Sequence, residues 1–363
     1  MRIAIDASGA AETRWTGIGT YIRWLLRGLA DLDAENQYAI CYRLSRLRYR
    51  HNFPRIGKPN FRTKIIHEPL NPFFMRSLDV FHGPDTRLPR RTSARKVVTC
   101  HDVAALVSES YADERFRRMK IGRYRHVVER ADRIIAISES TRGDIVRHLG
   151  VEAAKITVVP LGVSADFAPQ PPDAQAAVCR ALGLDRPFVL CLGAITRRKN
   201  TRRVIQAFHQ VARQRDVLLA LVGRPGYGWE TELAPIEELG LADKVRRIGH
   251  VADGDLPALY SAARAVLFPS LYEGFGIPVL EAMACGTPTV TSNCSSLPEV
   301  AGDAALLVDP LDVEAIAQAT LRLLDDEALR DTLRARGLAR ASLFPWSRTA
   351  AETLKVYREA CGT

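Results

Sequence analysis

Two successive series of short β-rich runs, each run followed by a longer helical stretch, constrain this chain more than any other feature of its sequence. The first series comprises Arg2–Asp6, Tyr38–Tyr42, Lys64–Ile66, Val80–His82, Lys96–Cys100, Arg133–Ala136 and Ile156–Val159. The second comprises Pro187–Leu192, Val217–Val222, Lys244–Ile248, Ala265–Phe268, Pro288–Thr291 and Ala305–Val308, with helical stretches such as Arg202–Arg213 and Val313–Leu324 between or after them. Strands that alternate with helices predict parallel sheets covered on both faces, and two such series predict two doubly wound α/β domains. A length of 363 residues, at about 150 per domain, agrees. After Pro160-Leu161-Gly162, the stretch Ala168-Pro169-Gln170-Pro171-Pro172 has the composition of a connection and predicts a boundary near 165–185. The last helical stretch, Ser347–Glu359, follows Phe344-Pro345-Trp346, and the pattern alone assigns it to neither domain.

Charge divides the chain unevenly. Residues 1–130 hold 25 Lys and Arg against 13 Asp and Glu, whereas the rest holds 26 against 28, so the whole net charge of +10 resides in the first third. Its densest part is Arg43, Arg46, Arg48, Arg50, Arg55, Lys58, Arg62 and Lys64, with no acidic residue between Glu35 and Glu68. Such a stretch is either a solvated face or an attractor of phosphates, anionic lipid or nucleic acid. Tyr49, Phe53 and Phe61 lie among the cations, but no RNP, KH or zinc-finger pattern accompanies them. Seven scattered cysteines, Cys41, Cys100, Cys179, Cys191, Cys285, Cys294 and Cys361, never fall in C-x-x-C spacing, which predicts reduced thiols in a cytoplasm. The first apolar run, Ile3 to Ile5, is stopped by Asp6, and neither a secretory signal nor a transmembrane helix is expected.

Open α/β sheets bind ligands at the carboxyl ends of their strands, so the strand-to-helix loops are the places to look for chemistry. Four stand out. Thr16-Gly17-Ile18-Gly19-Thr20 precedes a helix expected to begin near Tyr21. Gly17 and Gly19 allow either a close backbone approach to a ligand at a helix N-terminus or simply a tight turn. His101-Asp102 ends the run Val97-Val98-Thr99-Cys100, where an imidazole can donate to a hydroxyl, act as acid or base, or serve as a satisfied core histidine. Leu190-Cys191-Leu192-Gly193 leads into Thr196-Arg197-Arg198-Lys199-Asn200 before a helix. Three consecutive cations there oppose the helix dipole unless an anion neutralises them, and a diphosphate would do so.

The fourth loop is the most informative: Glu273-Gly274-Phe275-Gly276-Ile277-Pro278-Val279-Leu280-Glu281, continuing to Gly286. Pro278 suits the first turn of a helix that Gly286 can end, which puts Glu273 before the helix and Glu281 within it. The two carboxylates either address two parts of one extended ligand or are an ordinary surface Glu and helical Glu. They are spaced too widely for a shared-proton dyad. There is no His/Cys cluster with metal spacing, and no metal is expected.

At this segment the sequence closely resembles glycosyltransferase family 4, whose signature E-x7-E is here Glu273 to Glu281. The likeness runs through the Gly17/Gly19 loop, His101-Asp102, Ser138-Glu139-Ser140, Pro160-Leu161-Gly162-Val163, Arg198-Lys199-Asn200, Gly249-His250-Val251 and Ser296-Leu297-Pro298-Glu299-Val300 with Gly302. It implies the GT-B architecture of two Rossmann-like domains facing a cleft. These would be an acceptor-binding domain at 1–168, a nucleotide-sugar-binding domain at 169–345, and a helix at 346–363 returning to the first. By the resemblance, Glu281 would bond the ribose hydroxyls, Gly274, Phe275 and Gly276 would bring backbone amides to the donor sugar or phosphate with Ile277 also in donor binding, and Glu273 would lie beside the transferred sugar. Gly17 and Gly19 would take part in donor binding, Val251 would hold the base, and Arg198 and Lys199 would neutralise the leaving diphosphate. His101 would contact the donor sugar near its reacting carbon. One departure is Ala194, where many members carry Arg after the glycine, which leaves the clamp to Arg198 and Lys199.

The resemblance further implies retention of anomeric configuration without a metal. The run Thr16–Tyr21 and the segment from His101 through Val163 look most like bacterial mannosyltransferases of O-antigen and exopolysaccharide assembly. GDP-mannose is then the expected donor and a UDP-sugar the alternative. The implied acceptor is an oligosaccharide or a polyprenyl-diphosphate-linked sugar, and the basic first domain would rest on anionic lipid at the inner membrane. A GT-B epimerase or phosphorylase would share the fold, and a nucleic-acid binder would use only the Arg43–Lys64 stretch. The E-x7-E loop argues for transfer over the first, and the lack of an RNP, KH or zinc-finger pattern argues against the second.

Overall fold

A computed structural model of the chain describes residues 1–11, 17–67 and 75–362. They form two compact units. The first takes residues 1–107, 115–162 and those from 345 onward; the second takes 163–344 together with 108–114. The chain thus leaves the first unit at Gly162, six residues before the sequence-based boundary at 168, and returns to it at Pro345.

The first unit holds a seven-stranded sheet of order β3-β2-β1-β4-β5-β6-β7. Its strands are β1 (Arg2–Asp6), β2 (Gln37–Arg43), β3 (Phe61–Ile66), β4 (Val80–Gly83), β5 (Arg95–Cys100), β6 (Arg133–Ala136) and β7 (Ile156–Val158). Every neighbouring pair is parallel, with Ile3 opposite Tyr38 on one side and Val80 on the other. The order reverses between β1 and β4, the position at which doubly wound sheets open a crevice at their carboxyl ends. Burial follows the pattern: Ile3, Ala4 and Ile5 are fully enclosed because helices cover both faces.

Helix α1 (Gly17–Leu32) begins four residues earlier than expected, so Gly17 and Gly19 are residues of its first turn rather than a loop ahead of it. Thr16 lies outside the described residues. The C-terminal helix packs along α1 at van der Waals distance: a Cβ on Gly28 would stand 2.8 Å from the Cβ of Ala350, and one on Gly162 would stand 2.6 Å from the Trp346 nitrogen. The Thr349 hydroxyl also donates to the Pro160 carbonyl at 2.8 Å.

The second unit holds a six-stranded parallel sheet of order β10-β9-β8-β11-β12-β13. Its strands are β8 (Phe188–Leu192), β9 (Leu218–Val222), β10 (Val245–Gly249), β11 (Ala265–Phe268), β12 (Thr289–Ser292) and β13 (Leu306–Val308). All of β9 is buried, as a central strand covered on both faces requires. Helix α2 (Thr201–Ala212) lays Val204, Ile205, Phe208 and Val211 into the core, the i, i+1, i+4, i+7 stripe of an amphipathic helix. Helices α3 (Leu256–Ala262) and α4 (Ile277–Ala284) flank the carboxyl-end loops. The C-terminal helix, α5 (Trp346–Cys361), belongs to the first unit.

All seven cysteines are free thiols. Among the described residues, no helix is long and apolar enough to cross a membrane.

Candidate functional site

The loops after β8 and β11 are joined in the second unit by an ion triad built on a buried carboxylate. Glu273, 8% exposed, receives Arg198 Nη1 on Oε2 at 2.9 Å and Lys199 Nζ on Oε1 at 2.7 Å. Arg198 Nη1 also donates to the Tyr272 carbonyl at 2.8 Å, and its own carbonyl accepts from the Leu271 amide at 2.9 Å. The Lys199 ammonium stands 4.4 Å over the Phe268 ring. Gly193 has φ +136° and lies under the lysine stem, where a Cβ would come within 3.2 Å of Lys199 Cε.

In this arrangement a protein carboxylate also meets the cationic run. The cations occupy a 3-10 turn, Arg197–Lys199, ahead of α2, and the Glu273 carboxylate contacts two of them, which leaves the cluster net positive. Asn200, in the left-handed conformation between turn and helix, donates to the Pro269 and Pro310 carbonyls and locks the turn to the β11 loop. Burial drives the Glu273 carboxyl up, but Arg198 and Lys199 overcome it and hold the group below the usual carboxylate range. Burial likewise lowers Lys199, with Glu273 opposing the shift.

The loop from Glu273 to Gly276 is pinned from below. Ser296 donates to the carbonyls of Glu273 at 2.9 Å and Phe275 at 2.7 Å, while the Glu273 amide donates to Ser295 Oγ at 3.1 Å. Phe275 turns its ring edge-to-face onto Phe344, 6.0 Å away, so only its backbone is left for a ligand. Gly276, at φ +115°, opens α4 with no side-chain cap. Among the described residues no acceptor is found for the amides of Phe275, Gly276 or Ile277. Such amides at a helix start form an anion-facing cradle.

Glu281 sits in the body of α4 and behaves oppositely to Glu273. Burial pushes its carboxyl up to about 8, with Asp253 adding to the rise, while the Tyr260 hydroxyl donating to Oε2 at 2.9 Å and the Lys199 charge oppose it. Tyr260 is itself enclosed and fixed by Thr287, whose hydroxyl donates to the Tyr260 carbonyl at 2.7 Å. Val251, 4% exposed, follows β10 just past Gly249, whose carbonyl accepts from Gly223 at 2.7 Å. Ala194 is exposed and offers no charge.

In the first unit, His101 follows β5 and touches the start of α1: its ring meets Tyr21 edge-on at 4.9 Å. His101 Nε2 lies 2.8 Å from the Pro84 carbonyl. A carbonyl only accepts, so Nε2 carries the proton, and burial lowers the imidazole below its usual range despite that bond. The neutral ring therefore offers Nδ1 as an acceptor. Of the roles the sequence left open for His101, donation to a hydroxyl is the one this ring state does not offer, since its single N–H is spent on Pro84. Asp102 spends Oδ1 on the Ala104 amide at 3.1 Å, a turn-forming role.

Sequence reasoning missed two supporting side chains. Ser296 was visible only as part of a motif, and its hold on the loop is a tertiary contact across 23 residues. Tyr260 carried no signal, since an aromatic residue among apolar neighbours reads as core. Among the described residues, no three His, Cys, Asp or Glu side chains cluster as metal ligands do.

Comparison with known proteins identifies the family and the fold. Residues 15–167 match the family described as Glycosyltransferase Family 4, and residues 180–340 match Glycosyl transferases group 1. O-antigen chain mannosyltransferase B of Escherichia coli is 37% identical over 283 residues, spanning 77% of this chain and 74% of that protein. Sucrose-phosphate synthase from Thermosynechococcus elongatus superposes with a TM-score of 0.78 at 25% identity, over 99% of this chain and 98% of its own. HepE of Anabaena, solved in complex with UDP-glucose, superposes with a TM-score of 0.74 at 19% identity, over 98% of this chain and 99% of its own, a likeness of fold. The chain belongs to glycosyltransferase family 4 and is a glycosyltransferase of the GT-B fold, related to a mannosyltransferase of O-antigen synthesis.

Proposed function

We propose that the chain transfers mannose from GDP-mannose, with retention of configuration and without a metal, to an oligosaccharide or polyprenyl-diphosphate-linked acceptor in bacterial surface polysaccharide synthesis. The observation that carries the transfer chemistry is the triad of the buried Glu273 with Arg198 and Lys199 beside the acceptorless amides of Phe275, Gly276 and Ile277. Breaking the glycosidic bond of a sugar nucleotide places negative charge on the β-phosphate, and fixed cations and amides stabilise that charge most in the transition state. Arg198 and Lys199, held in place by Glu273 before any ligand arrives, cost no reorganisation when the bond breaks.

Glu273 is committed to two cations, which argues against its service as a covalent nucleophile. A front-face route fits better, with the departing phosphate accepting the acceptor's proton. Glu281 takes the ribose hydroxyls, Val251 lies under the base, His101 accepts from a hydroxyl of the donor sugar, and the first turn of α1, with Gly17 and Gly19, takes part in donor binding. Mannose is favoured by the likeness to the O-antigen mannosyltransferase.

The basic stretch supports peripheral contact with an anionic membrane at the cytoplasmic face. Leu44 and Leu47 are 48% and 40% exposed in the short helical segment that carries Arg46, Arg48 and Arg50.

Thermal shift with GDP, UDP, ADP and their sugars in EDTA tests the donor. A ligand that binds the folded state raises the melting temperature by mass action. Stabilisation by GDP and GDP-mannose alone is expected. A UDP-selective shift would replace the donor, and no shift with any nucleotide would overturn the site.

A further inference from the structure

The first unit contains a buried polar chain that runs from the C-terminal helix to the catalytic-end histidine. Tyr357, fully enclosed on α5, lies with its hydroxyl 2.7 Å from His82 Nδ1. His82 Nε2 is 2.9 Å from Thr99 Oγ1, and Thr99 Oγ1 is 2.9 Å from the Tyr21 hydroxyl. Tyr21 in turn sets its ring edge-on against His101. His82 and Thr99 are 0% exposed and Tyr21 is 1% exposed, so the chain is closed to water along its length.

Four polar side chains in a core cost stability unless all are satisfied, and apolar residues of similar shape would fill the same space. What the chain provides is orientation. His82 has both nitrogens engaged and burial keeps it neutral, so it is a fixed link rather than a switch. Thr99 is two residues before His101 on β5 and joins His82 to Tyr21, which comes from α1. Trp346, the first residue of α5, lies 6.3 Å from the Tyr21 ring on its own account. The C-terminal helix therefore grips Tyr21 through this chain, through the Trp346 ring and through a hydrogen bond between the Thr353 side chain and the Tyr21 hydroxyl, and Tyr21 is the wall against which the His101 ring stands.

We propose that Tyr357, acting through His82, Thr99 and Tyr21, is a positioning residue for His101, so that the last helix of the chain sets the orientation in which the imidazole presents Nδ1. This inference rests on His101 serving the donor sugar. Misplacing a reacting contact by a fraction of an ångström is sufficient to cost an order of magnitude in turnover.

The test is Tyr357→Phe, which removes one oxygen, with Thr99→Val as a second variant that cuts the chain at its centre. Each is assayed well below its melting temperature and followed by ring 15N resonances of labelled histidine, with His101→Ala assigning the His101 signal. The expected result is a fall in kcat of about tenfold with donor KM unchanged within about twofold, and a displaced His101 resonance. A lowered melting temperature with kcat and the His101 resonance both unchanged would show a merely structural chain and overturn the proposal. If Tyr357→Phe fails to fold, Thr99→Val decides by the same two readouts. Full turnover in His101→Ala would instead sink the role of His101, and the resonance in Tyr357→Phe would still report whether the chain holds the ring.

Discussion

The loop before α4 and the body of α4 each carry a carboxylate, eight residues apart, and the fold gives them opposite charge states. Glu273 in the loop is enclosed with two cations and stays ionised; Glu281 in the helix is half-buried beside one phenol and holds its proton up to about 8. Burial acts on both in the same direction. The difference comes from what the neighbouring loop after β8 delivers to each, and it teaches that spacing in a motif does not assign its charges. A pair of carboxyls driven apart in this way is suited to two tasks: one fixes cations for a leaving group, the other meets neutral hydroxyls.

The largest effect should come from Glu273→Ala. Removing the shared carboxylate leaves Lys199, whose side chain is 13% exposed, as an unbalanced buried charge. Breaking such a group costs about 3–5 kcal/mol, visible as a melting temperature lower by roughly 10 °C, with turnover lost by at least about a hundredfold. Equal stability in the variant would mean the triad is not closed in solution.

Lys199→Ala should act next most strongly and on a different quantity. Turnover should fall by about a hundredfold with only modest change in GDP affinity if the lysine, as proposed, meets charge that develops as the bond breaks. Steady-state kinetics with measured GDP dissociation constants separates the two, and a loss confined to affinity would move Lys199 from chemistry to binding.

Glu281→Gln sharpens the comparison through pH. The folded carboxyl titrates at about 8, above its ordinary value of 4.5. The unfolded chain therefore loses this proton first, and the group costs stability progressively as pH rises from about 4.5 to 8, with no cost below that window. The wild-type melting temperature should carry that decline, and the Gln variant should lack it. Identical melting curves of both proteins across this range would contradict the raised carboxyl.

Tyr260→Phe is the smallest change. It removes one hydrogen bond, worth about 1 kcal/mol, and lets Glu281 keep its proton to higher pH. GDP affinity should weaken a few-fold at pH 7 and recover by pH 9, whereas a pH-independent loss would assign the phenol to direct ligand contact.

Much of this was legible in the sequence because periodicity reports burial. The strands of both sheets lie within a residue or two of the β-rich runs, with β3, which begins at Phe61 rather than Lys64, as the widest miss, since its outward residues 62–65 are polar or exposed and blur the pattern. The start of α1 was misplaced because two glycines read as loop, yet at a first turn their amides need no intrahelical partner. The E-x7-E loop was legible as a motif. The charge of its members was not, since Arg198 and Lys199 reach Glu273 across more than 70 residues and Tyr260 reaches Glu281 from another helix. The orientation of His101 was equally hidden, because the Pro84 carbonyl that selects its protonated nitrogen has no side-chain signal.

The most direct test is the number of protons exchanged when GDP binds. Calorimetric titrations at pH 7 in buffers of different ionisation enthalpy give that number for wild type and for Glu281→Gln. Ribose hydroxyls donate to a carboxylate, so binding should release about one proton from Glu281 in the wild type and none from that position in the variant. Equal proton release by both proteins would contradict the opposite charge states on which this account of the donor site stands.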